Sequence, residues 1–279
     1  MPIKEISIPA ASHSLGATLY VPESAPSQLI IISGGTGARQ RYLRHFAAFF
    51  QKKGWLVITY DYQGIGRSLN QPIRSSSATM EKWGKEDLAA VIAYARSHYP
   101  DLPFILLGHS VGGQIHCLAE GSQQAARLVH IASQSGYWGK WPSPVKYALW
   151  LNWWGLKMLT ALFGFFPGKK MKVMENLPKG VANQWANWGL HPDYLLSGLP
   201  EAKSKAMELT MPLLAYSFSD DGTAPRAAVV WLNEVYGNCQ LRHLHIHPAE
   251  VGLKSIGHFG YFQPACQPLW EALWQELQS

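Results

Sequence analysis

A hydroxyl, an imidazole and a carboxylate held together can break an acyl bond, and this chain offers all three at telling places. The run Gly108-His109-Ser110-Val111-Gly112 stands directly behind the apolar stretch Phe104-Ile105-Leu106-Leu107. A buried strand that turns at once into a helix forces the middle residue of the turn into a strained backbone conformation, with its side chain presented outward. Only small residues fit two positions to either side; Gly108 and Gly112 stand there, and Gly113 adds room behind. Ser110 therefore reads as a nucleophile. The segment from Gln114 to Glu120 is expected to continue as the helix whose N-terminus faces it.

A serine hydroxyl is a poor nucleophile until a base removes its proton and an acid orients that base. Of the 11 histidines, His258 lies in a loop between the strand-like run 241–247 and a C-terminal helix. His109 reads as packing inside the turn and His116 as part of the helix behind it; His13, His45, His98, His130 and His191 have no catalytic context. Asp220 and Asp221 both follow the apolar run 212–218, and Glu250 is a weaker rival closer to His258. His243, His245 and His247 alternate along one strand and share a face. At about 6.6 Å per pair they cannot all bind one ion without a bend, so they read as incidental, and no metal is expected.

The elements that must position these groups alternate along the chain. Strands are expected at 3–9, 16–21, 29–32, 55–60, 103–107, 127–132, 212–218 and 240–246, and helices at 39–53, 80–98, from 111, 224–236 and 263–277. Such alternation produces a mostly parallel eight-stranded sheet with helices on both faces. A chain of 279 residues, 47% hydrophobic and 15% charged, can bury one large core. The start Met1-Pro2-Ile3-Lys4-Glu5 lacks the basic-then-apolar pattern of a signal peptide, and three cysteines without C-x-x-C spacing disfavour a disulfide framework. A cytoplasmic location is expected. Nucleic-acid binding finds no recognised motif.

Three motifs resemble the α/β-hydrolase family. Asp61-Tyr62-Gln63-Gly64-Ile65-Gly66-Arg67-Ser68 is similar to its D-x-x-G-x-G-x-S turn, GHSVGG to its nucleophile elbow, and Ile256-Gly257-His258-Phe259-Gly260-Tyr261-Phe262 to its histidine loop. Within the family, the serine aminopeptidase and monoacylglycerol-lipase-like branch is the nearest resemblance. It implies the α/β-hydrolase fold and a serine hydrolase acting on ester bonds, with Ser110 as nucleophile, His258 as base and no cofactor. It also implies Asp221 as acid, because the family keeps a proline four residues beyond that residue and Pro225 stands there. Asp220 remains the alternative, the unused carboxylate being expected to cap the next helix. For the oxyanion the resemblance implies two backbone amides, Val111 and Gly35, with Gly34 possible because Ser33-Gly34-Gly35 replaces the usual His-Gly-x. A phosphate-binding reading of Gly34-Gly35-Thr36-Gly37 fails for want of a G-K-[ST] ending.

The hydrolase pattern occupies residues 1–135 and 206–279, and the segment 136–205 reads as a helical lid. That segment holds seven of the 12 Trp, and nine Lys against Glu175, Asp193 and Glu201, an excess equal to the net +6 of the whole chain. Contact with anionic or lipid surfaces is one expectation, an ordinary solvated cover the other. Lys146, Trp150, Trp153 and Lys157 recur at helical spacing and should form one stripe. The apolar stretch 147–167 carries a central Lys157, which argues against a membrane span. The expected reaction is cleavage of an ester, thioester or amide with an apolar acyl portion. An aminopeptidase or acyltransferase on the same triad, and a non-catalytic small-molecule receptor, are the alternatives.

Overall fold

The eight apolar runs become eight strands of one sheet in a computed structural model that describes residues 1–278. They are β1 (Ile3–Ala10), β2 (His13–Tyr20), β3 (Leu29–Ser33), β4 (Leu56–Tyr60), β5 (Phe104–His109), β6 (Arg127–Ile131), β9 (Pro212–Phe218) and β10 (Gln240–Ile246). The remaining two, β7 (Phe165–Phe166) and β8 (Leu177–Pro178), form a separate small ribbon. Spatial order in the sheet is β1-β2-β4-β3-β5-β6-β9-β10. The β1–β2 and β2–β4 pairs are antiparallel and the rest parallel.

Parallel neighbours need long crossovers, and helices placed on both faces cover the central strands completely. Every residue of β3, β4 and β5 is buried. Alternation sends Leu29 and Ile31 into one apolar cluster and Ile30 and Ile32 into the other, so continuous apolar runs fill two cores at once. Truncating such a side chain, as in Leu107→Ala, costs about 2–5 kcal/mol. The parallel arrangement also gathers the loops after β3, β5, β9 and β10 at one edge of the sheet, where open α/β sheets place their sites.

The helix behind Ser110 departs from expectation. It lasts only from Val111 to Gln114, followed by a tight turn at His116–Leu118 and an extended Ala119. The cause is the Tyr236 hydroxyl, which donates to the Gly113 carbonyl (2.7 Å) and accepts from the Cys117 amide (3.1 Å). Those two groups would bond each other in a continued α-helix, and an inserted side chain breaks the ladder at that point. The helical stretch Met80–His98 is continuous but widens to π geometry over Trp83–Leu88.

Between β6 and β9 the chain leaves the sheet. Helices Val145–Phe163, Lys179–Leu190, Leu195–Gly198 and Glu201–Met207 make up most of this insertion. Trp153, Leu156, Val181, Ala186 and Trp188 join the main core, and Gly189 lets the second helix lie against the Trp153 ring. The stripe expected at Lys146, Trp150, Trp153 and Lys157 is shifted, because Trp153 turns inward to 3% exposure. The outward stripe is Tyr147, Leu151, Trp154, Met158 and Leu162. No helix among the described residues is long and apolar enough to cross a membrane.

Candidate active site

At the end of β5 the backbone of Ser110 takes φ 54° and ψ −117°, a conformation L residues avoid. A Cβ on Gly108 would strike the Gly113 backbone, and one on Gly112 the Ser33 carbonyl. The expected turn is therefore built, with the Ser110 amide tied to the Ile131 carbonyl at 3.0 Å. Val111 opens the short helix, so its amide has no intrahelical acceptor. The Ser110 hydroxyl makes no hydrogen bond to another described residue.

Asp221 follows β9 and is 4% exposed. Its Oδ1 accepts the Thr223 amide at 2.8 Å and the Ala224 amide at 3.0 Å, while Oδ2 lies 2.7 Å from His258 Nδ1. An ionised carboxylate only accepts, so Nδ1 carries the proton and Nε2 is left with a free lone pair. Asp220 does not cap the following helix, whose N-cap is Pro225. Its two oxygens instead take the amides of Ile256 (2.8 Å) and Gly257 (3.0 Å), just ahead of His258.

His109 does more than pack. Its Nε2 lies 2.8 Å from the His258 carbonyl and its Nδ1 2.7 Å from the Tyr42 hydroxyl. A carbonyl only accepts, so Nε2 donates and Nδ1 receives the Tyr42 proton. Burial, reinforced by the neighbouring His258, pushes the His109 imidazole well below its ordinary range and keeps it neutral. The Tyr42 hydroxyl in turn accepts the Gly35 amide at 3.0 Å. The Gly35 N–H, expected to face an oxyanion, is thus engaged by Tyr42 in this structure. In the same loop the Gly34 amide has no acceptor among the described residues.

The loop after β3 is also tied to the insertion. The Glu175 amide donates to the Gly37 carbonyl at 2.8 Å, and its carboxylate pairs with Arg39 (2.9 Å) and Lys169 (2.9 Å). Burial works to raise the Glu175 carboxyl, and the two cations outweigh it and hold it below the usual range. Asp61, first residue of the D-x-x-G-x-G-x-S turn, accepts the Gln40 and Arg67 amides at 2.6 and 2.9 Å. It thereby fixes two loops and touches neither Ser110 nor His258. Among the edge-strand histidines, the Ser217 hydroxyl is shared by His243 (2.8 Å) and His245 (2.7 Å).

A profile of the serine aminopeptidase S33 family matches residues 24–246. The chain belongs to that family. A monoacylglycerol lipase of Mycolicibacterium smegmatis is 30% identical over 246 residues, covering 82% of this chain and 82% of the relative. Two solved structures share the fold at low identity: a thermophilic esterase from Thermogutta terrifontis (TM-score 0.65, 15% identity, 99% and 98% of the two chains) and Est1E from Butyrivibrio proteoclasticus (TM-score 0.60, 16% identity, 99% of each). The chain is thus a serine hydrolase with the α/β-hydrolase fold.

Within this S33-family chain the structure brings Asp221 to His258, and sets the His258 main chain against His109, the residue next to Ser110. Tyr42, His109 as a two-sided donor and acceptor, Asp220 as an anchor and Glu175 as a tie all escaped sequence reasoning. Each acts on a segment 36 or more residues away, and only the neighbouring Asp220-Asp221 pair offered a signal.

Proposed function

We propose that Ser110, His258 and Asp221 form the catalytic triad of an esterase that cleaves a carboxylic ester with an apolar acyl group. The carrying observation is the Asp221–His258 pair, at 2.7 Å, on the edge of the sheet where the strained Ser110 turn ends β5. Ser110 Oγ attacks the carbonyl carbon and its proton passes to His258 Nε2 along a hydrogen bond that forms with acyl substrate in place. The tetrahedral oxyanion is received by the Val111 amide and by an amide of the loop 34–37, where Gly34 is unengaged. Collapse expels the alcohol, protonated by His258, and water activated by the same nitrogen releases the acid. Asp221 stays ionised throughout and stabilises the imidazolium.

The segment 136–205 is the lid in this reading. Its outer stripe leaves Leu151 61%, Met158 67% and Leu162 74% exposed, with Lys170 over the Phe163 ring at the end of the same helix, and that supports contact with anionic lipid surfaces that hold an amphiphilic ester. The relative named as a monoacylglycerol lipase supports a lipid-derived ester as substrate. A cytoplasmic location belongs to the same reading, supported by three cysteines buried as free thiols. A fluorophosphonate probe tests the nucleophile. Covalent labelling of Ser110 is expected, and Ser110→Ala should abolish it; a variant labelled as strongly as the parent would refute the assignment.

A further inference from the structure

His258 sits near the end of a long return from β10, and little in the loop itself holds it. After the tight turn at Pro248–Val251 and a left-handed Gly252, the amides of residues 254–258 make only two hydrogen bonds among the described residues. Both go to Asp220: Ile256 N–H to Oδ2 at 2.8 Å and Gly257 N–H to Oδ1 at 3.0 Å. Gly257 itself has φ 58°, a conformation with no side chain of its own to lock it. The carboxylate that orients the His258 ring is on the next residue, Asp221. Two consecutive aspartates thus grip one histidine by different parts, one the imidazole and the other the main chain leading to it.

We infer that Asp220 is a positioning residue for catalysis, setting where the His258 backbone stands while Asp221 sets which way its ring faces. This deepens the proposed Ser110–His258 hydrolase and rests on that reading. Ionised oxygens bonded to backbone amides are among the stronger hydrogen bonds of a protein, and both oxygens here are used for one purpose. A carboxylate that merely solvated the surface would have no reason to span two successive amides. A displacement of about 1 Å at a reacting group can cost on the order of 10²-fold in rate, which sets the scale of the effect.

The test compares Asp220→Ala, Asp220→Asn and the parent on a dissolved short-chain ester, in the parent background and in His258→Ala. Asp220→Ala should lower kcat about 10- to 100-fold with KM within about 2-fold, and slow fluorophosphonate labelling of Ser110 in proportion. Asp220→Asn keeps one accepting oxygen and should fall between the two. Amide hydrogen exchange at Ile256 and Gly257 should speed up in Asp220→Ala while the amides of β5 stay protected, which separates loss of the anchor from loss of the fold. With His258 already removed, Asp220→Ala should cost nothing further, because a residue acting through His258 has nothing left to act on. An unchanged kcat in Asp220→Ala would overturn the inference, as would an equal loss in the His258→Ala background. Failure of Ser110→Ala to abolish labelling would instead remove the hydrolase reading beneath it.

Discussion

The edge of the sheet and the insertion treat their exposed chemistry in opposite ways. At the sheet edge polar groups are turned on one another. Asp221 serves two amides and a ring, Asp220 two amides, and His109 bonds through both nitrogens. On the insertion's outer face large apolar side chains stand in the open, from Tyr147 through Leu162. One region is over-determined and fit for geometry; the other leaves an apolar surface that nothing else among the described residues covers. On the proposed reading the contrast assigns bond breaking and substrate presentation to different parts of the chain, joined at the β3 loop by Glu175.

The largest expected effect breaks the rigid side. Asp221→Asn should lose about 10²- to 10⁴-fold in kcat on a dissolved ester while keeping its near-ultraviolet circular dichroism. A loss under about 5-fold would mean that the ring is oriented by something else.

Acid should act on the same region through stability. Beneath the elbow His116 and His130 lie 3.3 Å apart, and burial pushes His116 well below its ordinary value and His130 to about 3; His109 is lowered likewise. In the unfolded chain imidazoles protonate near 6.5. Between that pH and the folded values the unfolded state binds more protons, so stability declines as pH falls through this window. Each such imidazole contributes a slope of about 1.4 kcal/mol per pH unit. Urea midpoints measured from pH 7 to pH 4 should fall steadily, and a flat profile would show that these rings are not held neutral.

A smaller effect sharpens the comparison from the other side. Replacing Leu151, Trp154 and Met158 together by Ser should weaken sedimentation with anionic vesicles about 10-fold or more, since each side chain can contribute up to about 1.5–3 kcal/mol on burial. Turnover of a dissolved butyrate ester should stay within about 2-fold. If turnover collapses with vesicle binding intact, the stripe belongs to the chemistry and the division of labour is wrong.

How legible each part was depends on the range of the interactions that build it. The eight strands announced themselves because alternation and continuous apolar runs are local, and the Ser110 turn did so because its glycines stand at fixed places around the serine, Gly108 being forced by the Gly113 backbone within the turn and Gly112 by Ser33 of the neighbouring strand. Asp221 was separable from Asp220 only by likeness to a family spacing; in the structure it is the Asp221 carboxylate that lies 2.7 Å from His258 Nδ1. The role of Asp220, the engagement of the Gly35 amide and the early end of the helix behind Ser110 were not legible. Each depends on one side chain arriving from a distant segment, and a single hydrogen bond leaves no periodic trace. The inward turn of Trp153 was missed for a related reason, since helical spacing gives a face without saying which neighbour covers it.

The Tyr236 hydroxyl bears on the order of assembly. It reaches back 123 residues to Gly113 and ends the short helix behind Ser110. Everything Ser110 needs from its own neighbourhood has left the ribosome long before Tyr236 does. A nascent chain ending before Tyr236 therefore has its serine in sequence without the hydroxyl that ends the helix behind it, and on the proposed triad hydrolytic competence arrives only when the last part of the protein, His258 included, docks.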